Sequence, residues 1–356
     1  MGNRHSQPWL HSAALDIIFI LSPPFVALLI VMALPQYFQS DAIVSPYYWL
    51  FLVVFIDVAH VYSTLYRTYF SPGWYHKGVY LTIVPLACYI AGVLIHSLDG
   101  FLFWRILAYL AIFHFIRQQY GFMSLYSRKE SATGAFKPID TIAIYTATLY
   151  PLLYWHLDGN RKFNWFVEDD VMTVDSPIFL SLGKVIYLCI IALYLTKELW
   201  MVYRTRQLNV PRNLLIFGTF LSWYFGIVFF NGDMAFTTLN VVSHGIPYMA
   251  LIWIFEKKKY QNIEVKKNWI TVLTFEKLGG VLFFLLSIAL FAYLEEGLWD
   301  GIIWKEHKAI FPAFSSLPTI TNDHILSLIV PLLALPQSTH YVLDGFIWRK
   351  KASGLS

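Results

Sequence analysis

Uninterrupted apolar stretches of about 20 residues recur along this sequence, and a helix of that length covers roughly 30 Å of bilayer hydrocarbon. This feature constrains the chain most, because in hydrocarbon every backbone polar group must be satisfied within its own element or a closed barrel. Blocks of this length, without a two-residue alternation, select helices. Charged residues make up 13% of the 356 positions, about half of the roughly 25% usual in soluble domains. That deficit excludes most soluble folds and a disordered chain.

Ten spans are predicted, at about 13–34, 46–66, 78–98, 101–126, 138–157, 177–197, 212–232, 234–256, 277–295 and 325–348. No repeat, Gly/Ser linker or low-complexity tract divides them. The expected fold is therefore all-α: a polytopic integral membrane protein whose residues 1–356 form a single transmembrane domain, one helical bundle. The opening MGNRHSQPWLHSAALD has one arginine and no small-residue cleavage site, so the first span reads as retained. Cys88 and Cys189 lie in apolar blocks and are expected as small buried packing residues.

Charge orients the spans. With the N-terminus cytoplasmic, the inner segments hold nineteen basic residues: Arg4, Arg67, Lys77, Arg128, Lys129, Lys137, Lys197, Arg204, Arg206, Arg212, Lys257–Lys259, Lys266, Lys267, Lys277 and Arg349–Lys351. The outer loops hold four, Arg161, Lys162, Lys305 and Lys308. This positive-inside bias predicts both termini in the cytoplasm. The basic stretch EKKKYQNIEVKKNW then faces anionic lipid headgroups rather than nucleic acid.

Polar groups within hydrocarbon are costly, so their positions carry information. Of eleven histidines, four fall deep: His60 in IDVAHVYSTLYR, His114 in FHFIRQQYG, His244 in NVVSHGIPY and His340 in QSTHYVLDGFIW. Each follows the start of an even-numbered span by about 11–14 residues, roughly 16–21 Å of helix. One such histidine is ordinarily a packing residue, but four at one depth predict a shared metal site. Asp57 precedes His60 by three residues and Asp344 follows His340 by four, spacings that put each pair on one helix face. Either carboxylate is expected to ligate metal, to orient an imidazole, or to form a plain His–Asp ion pair. Asn240 and Gln118 lie four residues from His244 and His114, as further shell or interhelical glue.

Arg117, within a turn of His114, is a candidate catalytic residue with Asp57 and Asp344, pairing with either carboxylate or with an anionic headgroup. Arg67 and Arg128 border the same face and are expected to snorkel. Tyr62, Tyr120, Tyr126 and Tyr248 lie nearby, and Thr64 follows His60 by one turn. Pro336 lies one turn before His340, where a kink would open room for a ligand.

Imidazole with carboxylate suits iron first, with zinc or manganese behind it. One or two ions fit the residue count. A His-rich, multi-span chain of this plan resembles the membrane non-haem iron oxidoreductases: fatty-acid desaturases and hydroxylases, alkane monooxygenases and the carotene-cleaving membrane dioxygenases. The likeness covers general plan and ligand type. The HxxxH and HxxHH boxes are absent, and one histidine per helix is closer to the carotene-cleaving type. It implies an iron-dependent oxygenase, hydroxylase or desaturase acting on a lipophilic small molecule among membrane lipids. No dinucleotide fingerprint is present, so reductant would come from a separate electron-donor protein or from the substrate. Two other readings suit intramembrane His and Asp: a proton- or ion-coupled transporter, and a haem-binding electron-transfer protein.

Overall fold

A computed structural model describes residues 7–39, 45–72, 74, 78–128, 130, 136–159, 161–261 and 265–348. Arg4, His5, His76, Lys77, Lys129 and residues 349–351 of the sequence argument lie outside them. The described residues are helical and contain no strand.

The helices are α1 (Ala13–Leu21), α2 (Pro23–Ala33), α3 (Pro46–Arg67), α4 (Tyr80–Leu98), α5 (Gly100–Tyr126), α6 (Lys137–Asp158) and α7 (Pro177–Thr205). There follow α8 (Val210–Phe229), α9 (Asp233–Tyr260), α10 (Trp269–Phe275), α11 (Gly280–Trp304), α12 (Asp323–Leu333) and α13 (Leu335–Ile347). Their starts are locally encoded. Asn209, Asn268 and Asn322 accept the backbone N–H three residues on, at 3.1, 2.9 and 3.1 Å, meeting donors that the first helical turn leaves open. Pro23, Pro46, Pro177 and Pro336 occupy first-turn positions, where no N–H is needed. Gly159 closes α6 at φ 66°, a left-handed conformation that glycine adopts without steric cost.

Seven of these helices are long and apolar enough to cross a bilayer, or nine when the bent pairs α1–α2 and α12–α13 each count as one span. The chain thus has the helices of a multi-pass membrane protein. The expected span at 138–157 is present as the 22-residue α6 but is not among the nine. Thr141, Thr146, Thr148, three tyrosines and His156 dilute its apolar content.

Contacts divide the chain into two compact units: Met1–Ile43 with Phe115–Pro247, and Val44–His114 with Tyr248–Ser356. No linker in the sequence marks the division, because the changes at 114/115 and 247/248 fall inside the continuous helices α5 and α9. In the first unit α6 packs on α7 and α8, and α8 on α2. In the second, α3 packs against α11 and α13, and α4 lies along α12 and α13. Helices α4 and α7 bury only 11% of their apolar windows, so most of their side chains point away from protein. Cys189 is exposed on α7 and Cys88 half-buried on α4, both free, so neither is the fully buried packing residue expected.

Candidate metal centre

The second unit brings three helices together at a buried cluster of imidazoles. Helix α3 supplies His60, α5 supplies His114 and α13 supplies His340, and the three side chains are 1–2% exposed. One ligating nitrogen from each lies within 4.8 Å of the others. The Nε2 atoms of His114 and His340 are 3.1 Å apart. Nitrogens bound to one ion at about 2.0–2.1 Å would be separated by roughly 2.9–3.4 Å, so this distance is compatible with two ligands of one ion as well as with a hydrogen bond.

Local structure explains how the histidines reach this point. Leu50–Val58 of α3 is wound as a wide π-helix, which returns to α geometry at Ala59, one residue before His60. Such turns re-aim the side chains that follow and recur at functional sites. Helices α12 and α13 meet at Ala334 with a bend of 44°, and Pro336 sits in the first turn beyond it. The expected kink before His340 is present.

Each imidazole also has a polar side chain near its Nδ1. His60 Nδ1 lies 3.5 Å from Asp57 Oδ1. His114 Nδ1 lies 3.4 Å from Asp344 Oδ2. His340 Nδ1 is 2.8 Å from Thr64 Oγ1, which is 3.2 Å from the Tyr248 hydroxyl. That hydroxyl donates to Asp344 Oδ1 at 2.8 Å. The polarity of this chain follows from its end. A carboxylate only accepts, so Tyr248 donates to it and accepts from Thr64, and Thr64 accepts from His340 Nδ1–H. A carboxylate beside His114 Nδ1 favours a proton there as well. With a proton on His340 Nδ1, the 3.1 Å contact between the Nε2 atoms is a hydrogen bond donated by His114 when His114 carries its proton on Nε2, and a pair of lone pairs that a cation could bridge when it carries it on Nδ1. Orientation of ligating imidazoles by carboxylate or hydroxyl partners is characteristic of metal sites.

These contacts revise several expectations. Asp344 serves His114 and Tyr248 across helices, whereas its predicted neighbour His340 is held by Thr64. Both carboxylates approach Nδ1, which is the orienting arrangement for each. His244, in the first unit, stacks on Phe115 with ring centres 3.5 Å apart and is not in the group. Gln118 there donates to the His244 carbonyl, and Asn240 to the Phe236 carbonyl, both at 2.9 Å. Arg117 donates to the Tyr145 hydroxyl and lies over Tyr120, so its candidate carboxylate pairing is not seen. Arg67 does not snorkel: it forms a buried pair with Glu256 at 2.8 Å and lies 4.2 Å over Trp348. Arg128 donates to the Leu125 and Trp9 carbonyls.

Thr64 and Tyr248, which the sequence placed near the histidines without a role, link His340 to Asp344. The available signal was that Thr64, four residues after His60, shares its helix face.

A cavity of about 280 Å³ adjoins the centre and has His340 in its wall. Leu65, Pro85, Leu332, Leu335, Pro336 and Leu343 supply much of its lining. Among its hydroxyls, Tyr62 donates to Glu295 at 2.5 Å, Tyr69 to the Leu81 carbonyl at 2.5 Å and Thr68 to the Thr64 carbonyl at 2.7 Å, whereas the buried Thr339 hydroxyl has no hydrogen-bond partner among the described residues.

Compared with protein-family models, curated proteins and solved structures, the chain matches none. The functional reading therefore rests on the geometry of this centre.

Proposed function

We propose that the chain is a membrane-embedded metal-dependent oxidoreductase, of oxygenase, hydroxylase or desaturase type, acting on a lipophilic substrate. The observation that carries the reading is the convergence of three buried imidazoles whose Nδ1 atoms lie near Asp57, Asp344 and Thr64. His60, His114 and His340 would hold one ion, and three protein ligands leave positions for a small molecule. An all-nitrogen set suits iron, zinc or copper(II). Iron is assigned because the apolar surroundings supply neither the water nor the polar bond that zinc hydrolysis needs. Bound iron would supply one-electron chemistry with O2 at an unactivated C–H or C=C bond. Electrons would come from a separate donor protein or from the substrate.

Asp57 and Asp344 are positioning residues in this reading, and Arg117 has no part in it. The transporter alternative is less well supported, since its ion-relaying groups need freedom to exchange partners and these histidines are each anchored.

Elemental analysis of protein purified from iron-replete cells tests the proposal. The expected result is about one iron per chain, lost in His60→Ala, His114→Ala and His340→Ala. Full iron retention in any two of these variants overturns the shared site. Stoichiometric zinc in place of iron overturns the oxidoreductase reading.

A further inference from the structure

The cavity beside His340 is open on one side. For scale, an apolar cavity of about 150 Å³ admits benzene. By that measure the 280 Å³ here accommodates about eleven carbon atoms. The hydroxyls of Tyr62, Tyr69 and Thr68 are already spent on Glu295 and on backbone carbonyls, which leaves the Thr339 hydroxyl as an unpartnered polar atom, among the described residues, in a largely apolar lining.

The shape of the opening follows from two helix–helix relations. Helix α4 approaches α12 closely at Gly92, where an added Cβ would lie 2.9 Å from Pro331 Cβ. Beyond that contact the chain bends by 44° into α13, and the gap that results is the cavity, with Pro85 of α4 on one side and Leu332, Leu335 and Pro336 on the other. Leu332 lines the cavity and is also 48% exposed. Around it, Ile83 and Leu86 on α4 and Ile325 and Leu328 on α12 are exposed apolar side chains on helices of membrane-spanning character. The mouth is thus bordered by surfaces that hydrocarbon, not water, would cover.

We propose that this cavity admits a single hydrocarbon chain directly from the bilayer, through a mouth at Leu332 between α4 and α12, with its innermost carbons beside His340. The substrate class is then a membrane lipid or free lipid whose reacting segment lies about ten carbons along an alkyl or isoprenoid chain. This inference rests on the metal-centre reading for its chemistry, but not for its binding.

The experiment uses the full chain in nanodiscs with a photoreactive alkyl diazirine of about twelve carbons, followed by peptide mapping. Labelling is expected to concentrate at least fivefold on residues 332–343 and 61–69 over the exposed α11 residues Leu286 and Leu290. Saturated n-alcohols of about ten or more carbons should compete, and those of about six should not. Leu335→Trp or Leu65→Trp should abolish the cavity labels while leaving metal content unchanged. The competition series needs no variant and decides the matter if neither folds. Labelling of residues 332–343 no stronger than at Leu286 and Leu290, or insensitivity to alcohol length, overturns the proposal. Labelled protein without metal would sustain the chain-binding cavity and remove the metal reading; metal-loaded protein without cavity labels would do the reverse.

Discussion

Each unit of the molecule buries a polar cluster, and the two clusters are built on opposite principles. In the first unit, Lys197 and Arg212, 5% and 4% exposed, meet Asp140, Glu198 and Glu130. Lys197 donates to Asp140 at 2.5 Å and to Glu198; Arg212 donates to Glu130 at 2.7 Å, to Asp140 at 3.1 Å and to Glu198. Asn213 and Asn209 occupy further carboxylate oxygens at 2.7 and 2.5 Å. Opposite charges here satisfy one another within the cluster. In the second unit the partners lie at the Nδ1 atoms, and like groups face each other. The first arrangement is an ion-pair network in which two cations are each held by more than one of three carboxylates. The second groups three imidazoles so that one nitrogen of each could reach a single cation, and the proposed function rests on that difference.

The largest expected effect breaks the centre alone. The double variant His114→Ala/His340→Ala should lose all bound metal, whereas His244→Ala should retain it. Elemental analysis of the folded fraction checks both, and metal loss in His244→Ala would restore the four-histidine site. The complementary change is Lys197→Met, which removes one partner of a buried network and leaves the carboxylates short of a cation. Such losses cost about 3–5 kcal/mol. Denaturant titration in detergent should show that destabilisation, with metal content per folded chain unchanged. A fall in metal content would contradict the separate roles assigned to the two clusters.

The sequence made depth legible and rotation illegible. Span length located nearly every helix and put His60, His114, His244 and His340 at similar distances along their spans. Depth is one coordinate, however, and the direction in which a side chain leaves its helix is fixed by packing against neighbours. His60, His114 and His340 turn toward one another, while His244 turns onto Phe115. The same blindness affected partners. An i,i+4 spacing permits His340 to meet Asp344, but a carboxylate on one helix can equally serve an imidazole on another, as Asp344 does for His114. Charge counting likewise placed Lys197, Arg212 and Arg67 on a membrane face, although all three are paired inside the protein. Pro336 was readable because its effect is covalent: it ends one hydrogen-bond ladder and starts another at a fixed position.

Smaller effects should rank the anchors within the centre. Loss of an outer partner typically weakens metal affinity about 10–100-fold. Asp344→Asn should approach the upper end, because Asp344 holds His114 and, through Tyr248 and Thr64, also His340. Tyr248→Phe and Thr64→Val interrupt only the His340 branch and should fall between, with Thr64→Ser restoring affinity since its hydroxyl performs the same exchange of protons. Asp57→Asn should be mildest, about tenfold, because Asp57 serves His60 alone. Titration with Co(II), followed by its visible absorption in detergent, measures all five variants on one scale. A loss in Asp57→Asn that equals or exceeds the loss in Asp344→Asn would mean that the two branches are not joined through one carboxylate, and the hydrogen-bond polarity deduced for Thr64 and Tyr248 would fall with it.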